Sequence, residues 1–400
     1  MQTFQQIDTD TFYIGCNDLR LALFENIYPL PAGVSYNSYV ITDDKTVLLD
    51  TCDKGVGEQF FENLNAALQG RPLDYVIINH MEPDHSALLQ DLLLRYPNIC
   101  VICNAKTQTF ITQFFPDTQN LSFNLVKEED TFSTGTHTFH FVMAPMVHWP
   151  EVMVTYDAAT KILYSADAFG SFGILNGLLY ADELDLDTQW LPEARRYYTN
   201  IVGKYGTPVQ TLLKKASALD IQKICPLHGP IWRQNLSYLL GKYQAWSTYT
   251  PETKGALLVY GSIYGHTESA VHHLAFQLQK DGISDIALYD ASKTHSSYLL
   301  AEAFKYPVWI FASSTYNAGL FPPVENFLLD IKAHQLQNRS VALIQNGSWV
   351  PASGQAMKTI LSALKEITFI DDIFTIKSAL SAAQTEAFDD FAHKIAQQIV

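Results

Sequence analysis

Hydrophobic and polar positions follow two different patterns along the chain, and the first covers residues 34 to about 225. Short apolar runs of strand length alternate there with turn residues, which predicts a mixed α/β region rich in antiparallel strands. The predicted strands are residues 36–41, 46–49, 73–79, 138–143, 153–156 and 162–165. Residues 42–45 should join the first two strands as a hairpin, and a helix is predicted over 86–94 because its leucines share one helical face.

The second half of the chain alternates regularly between short apolar strands and helices. The predicted strands are residues 256–260, 286–289, 308–312, 341–345 and 373–376, and the predicted helices are 267–279, 296–303, 324–334, 354–364 and 379–399. Five such units predict a parallel sheet covered by helices on both faces. The polar, proline-containing segment 246–254 separates the two patterns, so we expect two domains, over residues 1–250 and 251–400.

The amino-acid composition limits the kinds of molecule that we expect the protein to bind. The chain has 400 residues, of which 48% are hydrophobic and 17% charged, and this excludes bulk disorder. Its 26 basic and 41 acidic residues give a net charge of −15, so we expect no binding to nucleic acid or to a membrane surface. The sequence has no apolar run long enough to span a bilayer and no signal-peptide pattern at its start, and we therefore expect a cytoplasmic protein.

Five cysteines are spread along the chain. An odd number in a chain without a leader predicts reduced thiols rather than a disulfide framework. Cys100 and Cys103 have the spacing of a redox motif, but they lie in the apolar run 99–103. That run predicts a buried strand in which both sulfurs contribute to packing.

The strongest chemical signal is the loop that follows the predicted strand 73–79. Its sequence over residues 79–86, Asn-His-Met-Glu-Pro-Asp-His-Ser, contains four side chains of metal-ligand type: His80, Glu82, Asp84 and His85. A polar surface loop with a helix cap is the alternative for any one of them, yet the combined pattern predicts a metal site.

Three further ligand-type residues, His148, Asp167 and His228, each lie just beyond a short apolar, strand-like run. Each of them alone would more often be an ordinary surface or core residue. Because sites built on sheets gather at strand ends, we expect all three to join the ligand-type residues of the loop at 79–86.

The second half contains a loop suited to a phosphate. Its residues follow the first predicted strand and open a helix: Ser262, Ile263, Tyr264, Gly265, His266 and Thr267. Hydroxyls and backbone N–H groups at a helix N terminus favour a bound phosphate, although a plain strand-to-helix turn is the alternative.

Two more loops end the third and fourth strands, where a doubly wound sheet binds its ligand. Their residues are Thr315, Tyr316, Asn317, Ala318 and Gly319 in one loop, and Asn346, Gly347, Ser348 and Trp349 in the other. Tyr316 or Trp349 could stack on a flavin ring, while core packing is the alternative for either aromatic alone.

The order His-x-Glu-x-Asp-His, followed by His, Asp and His, resembles the metallo-β-lactamase superfamily. Hydrolases of that superfamily usually carry a histidine where this chain has Glu82. A carboxylate adds negative charge and a harder ligand, which favours iron or manganese over zinc and indicates a non-haem di-iron centre, with zinc still possible. The loop 262–267 resembles the flavodoxin phosphate loop, Ser/Thr-x-x-Gly-x-Thr, and so implies FMN, although His266 stands where a small residue is more usual.

A metallo-β-lactamase-like half joined to a flavodoxin-like half resembles the flavodiiron proteins (A-type flavoproteins) over almost the whole chain. The resemblance implies an α/β protein with an N-terminal αββα sandwich and a C-terminal doubly wound parallel sheet. It also implies the iron ligands, which are His80, Glu82 and His148 for one iron, Asp84, His85 and His228 for the other, and Asp167 as the bridge.

Members of this family reduce dioxygen to water, nitric oxide to nitrous oxide, or both, and the resemblance implies that activity here. It also implies a head-to-tail homodimer or a dimer of dimers. Since the chain lacks the paired Cys-x-x-Cys motifs of a rubredoxin module, an external electron donor is expected, and a rubredoxin is the first candidate. Lys54, Trp149 and Tyr264 are candidates for supporting contacts or proton donation near the reacting groups.

Two other functions stay open from the sequence. A zinc-dependent hydrolase with a flavodoxin-like passenger domain would also use the histidines, but Glu82 and the complete carboxylate set argue against it. A non-enzymatic flavin electron carrier would have a decayed metal domain, whereas every ligand position is filled.

Overall fold

The computed structural model describes residues 3–116 and 121–399. Contacts divide the chain into two compact units, and the predicted domain ranges 1–250 and 251–400 stay a prediction. The first unit runs to Tyr198 and also takes in Thr207–Gln244, while the second comprises Thr199–Gly206 and the chain from Ala245 onward. No helix within the described ranges combines the length and the apolar character that crossing a bilayer requires.

Two sheets form the middle of the first unit, and each mixes antiparallel with parallel pairs. The larger sheet contains, in spatial order, Gln5–Gln6, Thr11–Tyr13, Tyr39–Thr42, Thr46–Leu49, Tyr75–Ile77, Cys100–Cys103 and Ser122–Leu125. The smaller sheet contains Thr131–Ser133, Thr138–Met143, Met153–Asp157, Ile162–Tyr164 and Lys223–Cys225. The predicted hairpin is present, because Tyr39–Thr42 pairs antiparallel with Thr46–Leu49.

Helical segments and two small ribbons make up the other elements of the described chain up to residue 247. The α-helices up to residue 247 are Gly57–Leu68, Pro83–Ser86, Leu89–Arg95, Ala105–Phe114, Leu191–Tyr197, Gly206–Ala216 and Leu236–Ser247. Shorter helical segments are Lys54–Val56, Ala181–Glu183, Leu186–Trp190, Tyr198–Val202 and Gly203–Tyr205. The ribbons pair Cys16–Asp18 with Val34–Tyr36 and Leu23–Phe24 with Tyr28–Pro29.

The two sheets pack face to face through apolar side chains. Leu49 and Ile77 from the larger sheet form one buried cluster with Phe139, Met153 and Ile162 from the smaller sheet. Each such side chain contributes about 1.5–3 kcal/mol when it leaves water. Because alternate residues of a strand face opposite sides, the outer faces are left for the helices, and the predicted αββα sandwich is confirmed.

The helix predicted over 86–94 is wrong in its bounds. The structure has two helices there, Pro83–Ser86 and Leu89–Arg95. Pro83 occupies the first turn of the short helix, where its missing N–H costs no hydrogen bond, and the chain departs from helical geometry at Leu88. The early start brings His85 into a rigid helical turn next to the larger sheet.

The strand predicted around Cys100 and Cys103 is present, and both thiols are free. Cys103 is buried and Cys100 is partly buried. Burial raises the pKa of the Cys103 thiol to about 12, which keeps it protonated and suits a role in packing.

The second unit is a parallel sheet in the order of a doubly wound fold. Its strands, in spatial order, are Ile286–Asp290, Ala256–Gly261, Val308–Tyr316, Arg339–Asn346 and Ile367–Phe369, with Phe374–Ile376 beside Arg339–Asn346 and Gly319–Leu320 beside Val308–Tyr316. Its helices from residue 266 onward are His266–Lys280, Ser296–Lys305, Pro322–Ala333, Ser353–Leu361 and Thr385–Ala396. The predicted parallel sheet is therefore confirmed.

Two details of the second unit differ from the prediction. The last strand consists of two pieces, Ile367–Phe369 and Phe374–Ile376, and both pair in parallel with Arg339–Asn346. The last helix, predicted over 379–399, begins only at Thr385. A short helical turn, Ala382–Gln384, precedes it, because Ser381 and Gln384 form a capping box there.

His137 connects the two sheets of the first unit. Its ring nitrogens lie 2.7 Å from Asp157 Oδ2 and 3.1 Å from Asp10 Oδ2. Asp157 ends a strand of the smaller sheet, whereas Asp10 directly precedes a strand of the larger one. Burial lowers the pKa of His137, but the hydrogen bond to Asp157 and the nearby carboxylate of Asp10 outweigh burial and raise this pKa to about 9.

We expect this histidine to make stability depend on pH. Since its pKa in the folded chain lies above the unfolded value of about 6.5, the contribution is complete below pH 6.5 and is lost as pH rises through 9. The expected loss is about 1–2 kcal/mol. Urea unfolding at pH 6, 7.5 and 9.5 measures it.

The variant His137→Gln should remove most of this pH dependence. His140→Gln, on the following strand, is the matched control and should retain it. An equal slope in wild type and His137→Gln would contradict the assignment.

Candidate functional site

The loop that begins at Asn79 is fixed to the neighbouring strand by one buried carboxylate. Asp50 Oδ1 accepts the backbone N–H of Asn79 at 2.7 Å, and Oδ2 accepts its side-chain amide at 2.8 Å. The backbone N–H of His80 also points to Asp50, at 3.3 Å. Burial raises the pKa of Asp50 to about 6, although these hydrogen bonds act to lower it. The loop therefore leaves the sheet edge in a defined direction.

The structure brings all seven predicted ligand-type residues together in two adjacent groups. The His80 group consists of His80, Glu82 and His148, and the His228 group consists of Asp84, His85 and His228. Asp167 lies with the His80 group and also reaches the other one. All seven side chains are buried or nearly so.

In the His80 group, one carboxylate oxygen of Glu82 lies close to both histidines. Glu82 Oε2 lies 2.9 Å from His148 Nε2 and 3.3 Å from His80 Nε2. Asp167 Oδ2 lies 3.1 Å from His148 Nε2 and 3.3 Å from His80 Nε2. Four ligand atoms thus surround one small space, as a single metal ion requires.

In the His228 group, Asp84 takes the corresponding position. Asp84 Oδ2 lies 3.2 Å from both His85 Nε2 and His228 Nε2, and the two nitrogens are 3.0 Å apart. The second oxygen of Asp167, Oδ1, lies 3.2 Å from His85 Nε2 and 3.8 Å from His228 Nε2. The carboxylate of Asp167 therefore presents one oxygen to each group.

The carboxylates of Asp84 and Asp167 are unusual because all four oxygens are buried and none has a hydrogen bond of normal geometry within the described chain. Buried carboxylates without such partners are costly unless a cation neutralises them. Two adjacent divalent ions joined by one shared carboxylate are the arrangement that these donors fit best.

The carboxyl groups in this space influence one another. Burial, together with the negative charges of Glu82 and Asp167, raises the pKa of Asp84 to about 7. Burial also lowers the pKa of His148, but Asp167 and Glu82 overcome it and raise that pKa to about 9. A positive charge is therefore favoured at the centre of the cluster.

The sequence analysis missed Glu25, which lies at the tip of the ribbon that joins Leu23–Phe24 to Tyr28–Pro29. Glu25 is exposed, but the loss of hydration around its carboxyl group and the neighbouring carboxylate of Glu82 raise its pKa to about 8. Glu25 and Asn26 both have left-handed backbone angles, with φ of 49° and 57°. No motif marked this position, because only the ribbon geometry carries it to the cluster.

Two buried groups contact the outer nitrogens of the histidines. His80 Nδ1 lies 2.8 Å from Glu151 Oε1, which also accepts the backbone N–H of Met81 at 2.9 Å. His228 Nδ1 lies 2.7 Å from the backbone carbonyl of Ser35. These contacts fix the ring orientations, so that both Nε2 atoms face the cluster. One local signal for Glu151 was overlooked among the motifs, which is its position three residues after His148.

Aromatic rings enclose the cluster. The rings of Phe24, Tyr36 and Tyr197 lie 5.4, 5.7 and 5.5 Å from the ring of His228. The Tyr197 hydroxyl is buried, with no hydrogen-bond partner in the described ranges, and it was not predicted. Trp149, a predicted supporting residue, lies 5.4 Å from His80, ring centre to ring centre.

Lys54, the other supporting residue predicted in this unit, lies on the surface. It is exposed on the short helix Lys54–Val56 and lines a shallow groove with Phe61 and Leu94. Its role near the reacting groups stays a prediction.

The second unit contains a cavity of about 570 Å³ at the carboxyl ends of its strands. Thirteen of the predicted residues line it, namely Ser262, Ile263, Tyr264, His266, Thr267, Thr315, Tyr316, Asn317, Ala318, Asn346, Gly347, Ser348 and Trp349. Gly265 and Gly319 do not line it. Three more residues line it: Ser314, which directly precedes residues 315–319 of the same loop, Val350, which directly follows 346–349, and Ser378, which belongs to a fourth, later loop.

Hydrogen bonds connect the three predicted loops beneath this cavity. Thr267 Oγ1 lies 3.0 Å from Ser314 Oγ and accepts the Asn346 side-chain amide at 3.2 Å. Gly265 has a φ of 89°, a conformation that glycine adopts without strain, and its N–H donates to Ser262 Oγ at 3.1 Å. The helix His266–Lys280 begins at this point, and its free N–H groups suit a phosphate.

Two aromatic side chains at the cavity rim are almost fully exposed, Tyr264 at 89% and Trp349 at 87%. An exposed aromatic on a cavity edge can cover a flat ring by stacking. The cavity thus combines a phosphate-type end with an aromatic end, and a flavin mononucleotide has both features.

Comparison with known proteins gives a match for each unit. Residues 34–229 match the family described as ODP family beta lactamase, and residues 258–393 match the flavodoxin family. The chain is 28% identical to an uncharacterized protein of Methanocaldococcus jannaschii, over 98% of both chains. It is also 28% identical to an anaerobic nitric oxide reductase flavorubredoxin of Vibrio vulnificus, over 91% of this chain and 73% of that relative.

Solved structures share the fold. The rubredoxin oxygen:oxidoreductase from the anaerobe Desulfovibrio gigas matches with a TM-score of 0.93 at 24% identity, covering 99% of this chain and 98% of that one. A flavoprotein from Thermotoga maritima matches with a TM-score of 0.90 at 24% identity, covering 98% and 96% of the two chains. At these identities, the structural likeness establishes the fold.

We expect metal binding to stabilise the first unit, because it neutralises the buried carboxylates. Adding Fe²⁺ to chelator-treated protein without oxygen should raise its Tm by about 5 °C or more. Asp167→Ala should lose most of this increment, whereas Asp44→Ala, which removes an exposed carboxylate, should retain it. Equal Tm values with and without metal in the wild type would contradict the site.

We expect Trp349→Ala to weaken FMN binding by about tenfold, since stacking on one aromatic ring contributes about 1 kcal/mol or slightly more. Quenching of FMN fluorescence on titration of the flavin-free protein measures the Kd. Phe276→Ala is the control, because Phe276 is an exposed aromatic of the same unit that does not line the cavity. Unchanged affinity after Trp349→Ala would exclude stacking by this ring.

Proposed function

We infer that this chain, which joins an ODP-family beta-lactamase domain to a flavodoxin domain, belongs to the flavodiiron proteins, and we propose that it reduces dioxygen to water, nitric oxide to nitrous oxide, or both. It is an oxidoreductase. Its cofactors are FMN and a di-iron centre, and the donor set of the first unit suits the two metal ions.

The observation that carries the proposal is the position of Asp167. One of its oxygens faces the His80 group and the other faces the His228 group, and both are buried. We propose that His80, Glu82 and His148 hold one iron and that Asp84, His85 and His228 hold the other. Two ferrous ions with a reduced flavin supply four electrons, which is the number that converts one dioxygen to two waters.

The aromatic side chains around the site suit a small, uncharged gas. Phe24, Tyr36 and Tyr197 exclude bulk water beside His228. We propose that the Tyr197 hydroxyl, which has no other partner in the described chain, hydrogen-bonds the gas or its reduced product. On the flavin side, we propose that residues 262–267 hold the FMN phosphate and that residues 315–319 and 346–349 hold the ring.

We further propose that an external donor, a rubredoxin, supplies the electrons. The names of the relatives support this, since one group is called flavorubredoxin and one solved structure is a rubredoxin oxygen:oxidoreductase. A homodimer arranged head to tail, or a dimer of such dimers, in the cytoplasm is part of the same proposal. The exposed aromatic rim of Tyr264 and Trp349 supports a protein neighbour at the flavin cavity.

The proposal is tested by mixing the fully reduced protein with each gas in an anaerobic stopped-flow instrument. Flavin absorbance should return rapidly to the oxidised form with at least one gas. Asp167→Ala should slow that oxidation by a factor of about 100 or more, because the metals lose their shared ligand. Asp372→Ala, which removes an exposed aspartate, is the control and should react like the wild type.

Two results would contradict the proposal. If Asp167→Ala reoxidises at the wild-type rate, the metal cluster takes no part, and a simple flavin electron carrier explains the protein better. If metal analysis finds two zinc ions together with hydrolysis of a thioester or lactam, the hydrolase alternative is correct.

A further inference from the structure

The two groups of ligand-type residues are matched in composition. Each contains two histidines and one carboxylate of its own, and each faces one oxygen of Asp167. If these ligand residues alone determined the affinity, the two positions would bind a metal ion with similar strength. Any difference between them must come from the groups behind the ligands.

Behind the histidines the two groups differ. His80 Nδ1 lies 2.8 Å from the carboxylate of Glu151, which is buried. His228 Nδ1 lies 2.7 Å from a neutral backbone carbonyl, that of Ser35. His85 Nδ1 is buried and has no hydrogen-bond partner in the described part of the chain. An anionic acceptor therefore stands behind the His80 group, and none stands behind these two rings of the His228 group.

The direction of the His80 hydrogen bond follows from geometry. His80 Nε2, Glu82 and Asp167 face the proposed metal position, and a nitrogen that binds a metal ion must carry a lone pair, so in the metal-bound site the ring proton lies on Nδ1, which donates to Glu151. The backbone N–H of Met81 also donates to Glu151 Oε1, at 2.9 Å, and holds the carboxylate in place. A charged acceptor draws the Nδ1 proton more strongly than a carbonyl does, and it increases the electron density at Nε2.

The other buried carboxylate near His80 does not have this effect. Asp50 accepts hydrogen bonds from Asn79 and from the backbone N–H of His80, and none of these involves an imidazole ring. Asp50 thus fixes the loop, whereas Glu151 acts on the ligand itself.

We propose that Glu151 is a positioning residue which, through His80, makes the His80 group the tighter of the two metal positions. This inference rests on the proposed function, because it takes the two groups to be a pair of metal sites. It adds that the His80 position binds its metal ion first and that the His228 position loses its metal ion more easily.

The test is a titration of metal-free protein with Fe²⁺ under anaerobic conditions, followed by calorimetry. Wild type should bind in two steps of different affinity. Glu151→Gln keeps an oxygen acceptor for His80 and Met81 but removes the charge, so it should weaken one step by about 10- to 100-fold and leave the other within about twofold. Glu58→Gln, which removes an exposed carboxylate of the same unit, should change neither step.

Two backgrounds identify the affected position. His228→Ala leaves only the His80 group intact, and Glu151→Gln should still weaken the remaining step there by about tenfold or more. His148→Ala leaves only the His228 group intact, and Glu151→Gln should have no effect. Because a general loosening of the fold would weaken binding in both backgrounds, this pair separates positioning from simple destabilisation.

Each outcome decides the matter. Equal weakening of both steps, or loss in the His148→Ala background, would assign Glu151 a merely structural role and overturn the inference. Unchanged titrations of Glu151→Gln would also overturn it, while the proposed function would stand. If the wild type binds no pair of metal ions, the proposed function fails first.

Discussion

The first unit depends on one electrostatic constraint, which is that three carboxylates and four imidazoles converge in a space almost closed to water. Asp84 and Asp167 have no hydrogen bond of normal geometry within the described chain that could stabilise their charge. Such a cluster persists only if cations or protons balance it, so its geometry and its ligands are determined together. The two packed sheets supply the rigidity that holds these groups at close range, because the ligands lie beyond the ends of strands that the core fixes in place.

In the second unit, too, the functional side chains lie beyond strand ends, but they have a different chemistry. Its parallel strands end at one edge, and the cavity-lining loops there carry mainly hydroxyls, amides and aromatic rings, with the single histidine His266 and no carboxylate among the lining residues. Thr267 hydrogen-bonds to both Ser314 and Asn346, so the loops that surround the cavity support each other. In both units, strand ends present reactive or binding groups while the apolar core determines where those ends lie.

The sequence was most informative where chemistry and local pattern coincide. The seven ligand-type residues stood out because each follows an apolar run, and the structure brings all of them together. Glu25, Glu151 and Tyr197 were missed because their importance arises from contacts between distant parts of the chain. Glu151 lies 71 residues from the His80 ring that it contacts. The predicted helix bounds were wrong where residues at the start of a helix outweighed the apolar periodicity, as at Pro83 and Ser381.

The divided last strand of the second unit has a consequence for how this fold can vary. Both pieces pair with Arg339–Asn346. Between them, Ile370 still donates its N–H to the Val341 carbonyl and packs against the apolar core, whereas Asp371 and Asp372 are exposed and belong to no strand. Only the second piece adjoins the cavity-lining end of that strand, at Asn346. Insertions at 371–372 can therefore be absorbed in the exposed connection between the two pieces, so the length of this connection can change during evolution while the binding surface stays in register.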